Sequence, residues 1–209
     1  MSESRELTKS EAPAVPPKGS DSTRERIVIA AMEEFARHGI AGARVDRIAM
    51  HARTSKERVY AYFRGKEVLY AQTAAQKLGV IAQATQMDAG DLPGYAARLF
   101  DYFVAHPEHH RLITWGRLEL ADSPAAADDP TRASIAHKLD QIRQAQRDAK
   151  IDPAWDPVDV LALVNQIATT WAAQPEFGLV AADLAADPSI SARRAAVVAA
   201  VECVFPTRA

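Results

Sequence analysis

One cysteine, Cys203, occurs in the 209 residues, so no disulfide framework can form within the chain. A reducing, cytoplasmic setting is the expectation. No stretch approaches the ~18 uncharged apolar residues that suggest a membrane span. The opening MSESRELTKSEAPAVPPKGSDS lacks the apolar run of a secretory signal. There is no Gly-rich phosphate loop, no G-x-S-x-G and no H-E-x-x-H, and Cys203 sits in an apolar stretch where a thiol is ordinarily packing. The sequence therefore does not read as an enzyme. No segment alternates in the manner of a strand leading into a hairpin turn, and no internal repeat is visible.

What is abundant is alanine, with β-branched residues only in short clusters, which favours helix over sheet. The expected fold is all-α. Residues 1–21 are rich in Pro, Ser, Lys and Glu and are expected to be a disordered tail. Ile27, Ala30, Ala31, Phe35 and Ala36 then recur at helical spacing, with Asp21 or Ser22 as cap and Gly39 as terminator. Val45, Ile48 and Ala49 mark a short second helix, and residues 56–63 a third. Either Thr54, in a capping box with Glu57, or Ser55 can start that third helix. Further helices are expected at about 66–87, 92–105, 108–120, 131–150, 157–173 and 189–205. Residues 174–187 read as a loop with one helical turn.

Charge is uneven. Residues 20–66 hold ten Lys/Arg against six Asp/Glu, whereas residues 67–209 hold twelve against eighteen. A basic head on an acidic body suggests that the head meets a polyanion. Three short helices with a tight second turn are the pattern of a helix-turn-helix. The third helix opens with Ser55, Lys56, Glu57 and Arg58, donors and an acceptor suited to base edges in the major groove. Ala61 keeps that side slim, while Val59 and Phe63 are expected to pack inward. Tyr60, Tyr62 and Lys66 are candidates for phosphate contacts, and Arg44 and Arg47 for backbone or base edge.

The run TRERIVIAAMEEFARHGIAGARVDRIAMHARTSKERVYAYFRGKEVLY resembles the N-terminal domain of the TetR family of bacterial transcriptional regulators. The resemblance is carried by A-x-x-x-F-A-x-x-G from Ala31, by VDRIA, and by SKERVYAYFRGKEVLY against the family's S-K-x-x-[LV]-Y-x-[YH]-F-x-x-K-E-x-L. It implies that Tyr60, Tyr62 and Lys66 touch phosphates and that Lys56, Glu57, Arg58 and Ala61 face bases. It also implies a helix-turn-helix DNA-binding domain at 22–66 and a helical ligand-binding and dimerisation domain at 67–209. Two positions depart from the family. Arg53 stands where glycine is usual in the turn, and Ala43 stands where a capping Thr or Ser is frequent.

One recognition helix reads only a few base pairs, so a homodimer on a palindromic double-stranded operator is expected. Val160, Val164, Ile167 and Trp171 form one apolar stripe, and Ile190, Val197, Val201 and Val204 another. Both are candidates for the dimer interface. The resemblance further implies a cavity for a small-molecule effector. Phe100, Phe103, His110, Trp115, Leu118, Asn165 and Trp171 are its candidate lining. His106 and His110 are spaced i, i+4, which invites a metal reading. Pro107 places His106 outside the following helix, however, and no metal or other cofactor is expected. The reading is a ligand-responsive repressor. The alternative is a DNA-binding protein without an effector, either a constitutive repressor or an architectural protein.

Overall fold

The computed structural model describes residues 20–120 and 130–206. The tail expected to be disordered lies outside these except for its last two positions. Ten helices and no strand occur among the described residues. They are α1 (Ser20–Gly42), α2 (Val45–His51), α3 (Lys56–Tyr62), α4 (Lys66–Ala84), α5 (Leu92–Ala105), α6 (Pro107–Glu119), α7 (Pro130–Arg147), α8 (Pro157–Ala173), α9 (Pro175–Leu184) and α10 (Ile190–Val204). No described helix is long and apolar enough to cross a membrane.

α1 begins at Ser20, ahead of both expected caps, and bends at Gly39, whose φ of 70° lies in the left-handed region that glycine tolerates. The first apolar cluster joins Ile27 and Phe35 of α1 to Val45 and Ile48 of α2 and to Val59 and Phe63. Tyr70 of α4 and Leu112 of α6 complete it, so the head is not packed on itself alone. The Phe35 and Tyr70 rings meet edge to face at 5.4 Å. The second cluster belongs to the body, where α5 is sandwiched by α8 and α10 around Tyr95, Phe100, Val160, Val164 and Val201.

Two expectations give way here. The stretch 174–187, read as a loop, contains the ten-residue α9. None of its residues is buried, and Phe177, Leu179, Val180 and Leu184 are exposed. The side of α9 that meets the chain is Pro175, Gly178 and Ala181, too small to mark an apolar stripe at helical spacing. The second correction concerns the dimer candidates. Val160, Val164 and Val201 are 0 % exposed and Val197 4 %, all inside the single chain. Ile167 and Trp171 lie half-buried against the same core. The buried members of the two stripes pack on α5 and on each other within the chain, because the core of a helical body demands the same periodicity as an interface. Of the eight positions, Ile190 and Val204 are exposed.

Candidate nucleic-acid interface

α3 is short, and its start is fixed by one side chain. Ser55, not Thr54, is the cap, its hydroxyl accepting the Arg58 amide at 3.2 Å. The turn before it is closed by the Thr54 amide on the Ala49 carbonyl and by the Arg53 amide on the Met50 carbonyl. Arg53 takes φ 52°, the left-handed conformation that usually calls for glycine. Arg26 of α1 donates its Nε to the Ala52 carbonyl at 3.0 Å and ties the turn to the first helix.

Val59 and Phe63 are each 1 % exposed, which orients the rest of α3. Ser55, Lys56, Glu57, Arg58, Tyr60 and Ala61 are all exposed, and Tyr62 is half-buried beside Phe63. The exposed set gives α3 an outer face of small and polar groups with one phenol, that of Tyr60. No other group among the described residues holds the Arg58 guanidinium. Lys56 pairs with Asp46 of α2 at 2.9 Å, an exposed link across the turn. That hydrogen bond holds the Asp46 carboxyl below its usual range.

Arg44, Arg47 and Lys66 have different surroundings. The Arg44 side chain is exposed at the N-cap of α2, while its backbone amide donates to Glu34 Oε1 at 2.8 Å. Arg47 turns inward. Its guanidinium donates to both Glu34 oxygens and, at 3.1 Å, to the Gly42 carbonyl. This expected DNA contact is therefore held by the protein itself and works as a brace between α1 and α2. Lys66, the first residue of α4, donates its ammonium to the Ala41 carbonyl at 2.9 Å and the Ala43 carbonyl at 3.5 Å. It satisfies backbone groups after the Gly39 bend, which leaves about one of its three N–H groups for another acceptor.

Glu34 is the residue that the sequence reading missed. It is 4 % exposed and accepts from Arg44 and Arg47, with His38 close by. Burial pushes its pKa up. The hydrogen bonds from Arg47 and the Arg44 amide, with the charges of Arg47 and His38, outweigh that and hold the carboxyl below its ordinary value. The only signal in the sequence was the missing cap at Ala43.

The head is joined to the body by a second carboxylate. Glu119, the last residue of α6, accepts the Ile40 amide at 2.9 Å and the Ala41 amide at 2.6 Å, one with each oxygen. A Cβ at Gly39 would run into that carboxylate. Nearby, the Tyr70 hydroxyl donates to the Leu112 carbonyl at 2.8 Å, and a Cβ at Gly116 would collide with it.

A cleft of about 360 Å³ opens between α5, α6, α8, α9 and α10. Phe100, Phe103 and Trp171 line it, together with Arg111 and Arg193, which were not anticipated. The Arg193 guanidinium lies 5.0 Å from the centre of the Trp171 ring. The remaining candidates do not line it. His110 packs edge-on behind Phe103 at 5.5 Å, and Asn165 accepts the Tyr95 hydroxyl at 3.2 Å. Trp115 lines a separate groove with Glu33 and Arg37, and Leu118 is 68 % exposed. The pair His106 and His110 does not converge; His106 stacks on His109 instead.

Comparison with known proteins agrees with this geometry. Residues 27–73 match the model for bacterial regulatory proteins of the tetR family, and residues 91–203 match the tetracyclin repressor-like C-terminal domain. The chain is 38 % identical over 152 residues to the HTH-type transcriptional repressor SCO4008 of Streptomyces coelicolor, covering 73 % of this chain and 79 % of that one. It is 31 % identical over 96 residues to the HTH-type transcriptional repressor NicS of Pseudomonas putida, 43 % and 45 % of the two chains. Among solved structures, the transcriptional regulator SCO4942 of Streptomyces coelicolor superposes with a TM-score of 0.81 at 66 % identity, covering 89 % of this chain and 99 % of that one.

Proposed function

Because this chain belongs to the TetR family of bacterial transcriptional regulators, we propose that it represses transcription as a homodimer on a palindromic operator and releases it in response to a small molecule. The observation that carries the reading is the split of α3. Val59 and Phe63 anchor one face, and Lys56, Glu57, Arg58 and Ala61 are exposed on the other, with Lys56 held toward Asp46. A helix so held can enter a major groove with its N-terminal residues at base edges. Tyr60 and the remaining donor of Lys66 suit flanking phosphates, which set position and not sequence. Arg44 is a third phosphate or base-edge candidate.

A partner surface is available on the outer faces of α8 and α10. Val158, Ala162 and Leu163 are exposed on one, and Ala195, Ala196, Ala199 and Ala200 on the other. Small residues permit close approach, and two helices from each copy give a four-helix packing. The cleft lined by Phe100, Phe103 and Trp171 is apolar with a few polar groups, the usual character of a ligand site. An effector there changes operator affinity only by its differential affinity for two arrangements of the heads.

Selection of bound fragments from the native genome, followed by gel shift, tests the proposal. The expected result is a single symmetric site bound by an even number of chains. Binding without sequence preference, or by a monomer at micromolar concentration, would overturn it.

A further inference from the structure

We propose that His106, Glu108 and His109, at the corner between α5 and α6, form a binding site for one transition-metal ion of the zinc class. Each offers one ligand atom, and the three atoms lie within 4.8 Å of one another. Glu108 Oε1 is 3.4 Å from His106 Nδ1 and 3.7 Å from His109 Nε2. Metal–nitrogen and metal–oxygen bonds of about 2.0–2.2 Å at tetrahedral angles place neighbouring ligand atoms about 3.3–3.6 Å apart. Two edges of the tetrahedron are thus nearly formed, and rotation of the exposed His106 ring closes the third.

The local chain explains why these three meet. His106 is both the last cap of α5 and the residue before α6, and Pro107 forces the turn. Glu108 and His109 fall in the first turn of α6. His109 is 6 % exposed, and its Nδ1 is 2.9 Å from the Tyr102 hydroxyl. The Tyr102 hydroxyl thus serves as the outer partner that metal-binding imidazoles commonly have, and Nε2 is left turned toward Glu108. The Tyr102 ring packs against both imidazoles, at 4.9 Å and 5.8 Å, and the two imidazoles stack at 5.0 Å. The His109 ring is held before any ion arrives, whereas His106 turns out of the stack to join it.

Two imidazoles and one carboxylate favour zinc, nickel, cobalt or copper over magnesium or calcium, which prefer oxygen sets. A fourth position faces solvent beside His106. The positive end of α6 opposes a cation, and the Glu108 carboxylate counters it. An ion here would fix the start of the helix whose other end carries Glu119.

The test is zinc titration by calorimetry of the full, tag-free chain stripped with a chelator, with cobalt(II) absorption in parallel. One saturable equivalent per chain is expected, with the intense visible bands of four-coordinate cobalt. Glu108→Gln and His106→Ala, both at the surface, should each weaken zinc binding by about tenfold or more. His137→Ala, an exposed histidine of α7, should leave it unchanged. Circular dichroism confirms that the variants fold. Absence of a saturable equivalent, wild-type affinity in both variants, or only the weak bands of octahedral cobalt would overturn the proposal.

Discussion

The carboxylate of Glu34, in the middle of α1, accepts the backbone amide of Arg44 at 2.8 Å and so caps α2 from another helix. Ala43 and Arg44 offer no side-chain cap of their own. The same carboxylate holds Arg47, so one buried anion sets the angle between the two helices on which α3 is mounted. Glu34→Ala should destabilise the protein by about 2–3 kcal/mol, the range for buried hydrogen bonds to a charged group. Urea denaturation of the full chain measures this.

The depressed pKa of Glu34 has a pH signature. Its ordinary value is about 4.5, and the folded value lies below that. The stabilisation is therefore complete above about pH 4.5 and is lost as pH falls through the folded pKa. Urea midpoints should fall more steeply below that pH in the natural protein than in Glu34→Gln. Parallel curves would show that another group is responsible.

Arg53 holds φ 52° without being glycine. Arg53→Gly should raise stability by about 1 kcal/mol, offset in part by the greater freedom of glycine in the unfolded chain. The readout is the thermal midpoint.

Gly116 and Tyr70 are packed too closely to change independently. Gly116→Ala should cost about 1–3 kcal/mol by overpacking. Tyr70→Phe should cost about 1 kcal/mol by losing the bond to the Leu112 carbonyl. Because the phenylalanine removes the oxygen that a Cβ would meet first, leaving only ring carbons to shift, the double variant should be more stable than the sum by about 0.5 kcal/mol or more. A double-mutant cycle in urea decides it.

On the operator, Tyr60→Phe should weaken binding about 10- to 100-fold, the worth of one hydrogen bond to a charged phosphate. The salt dependence should not change, because no charge is removed. Arg58→Ala should instead relax preference at one base pair by about 1–3 kcal/mol. Gel shifts on a panel of single-base operator variants, at two salt concentrations, distinguish the two effects.

The helices of the head were legible because each carries a buried face at helical spacing, from Ile27 and Phe35 to Val59 and Phe63. α9 was not, since no residue of it is buried. Periodicity told that Val160 and Val201 are buried but not by what, and the answer is their own chain. Arg47 and Lys66 were read as DNA contacts from charge and position. Their partners, Glu34 and the carbonyls of Ala41 and Ala43, lie thirteen and about twenty-five positions away. Such tertiary pairing leaves no local mark. The metal-like cluster was missed for a related reason. Spacing of i, i+4 assumes one continuous helix, and Pro107 begins a new one.

Glu119 grips two successive amides just beyond Gly39, and that grip limits how freely this family's modules can be exchanged. A chimera that grafts the first three helices of a relative onto this body would carry foreign recognition chemistry intact. It would still sit askew unless the donor also bends through a left-handed glycine there and leaves both amides bare for the recipient's acidic clasp.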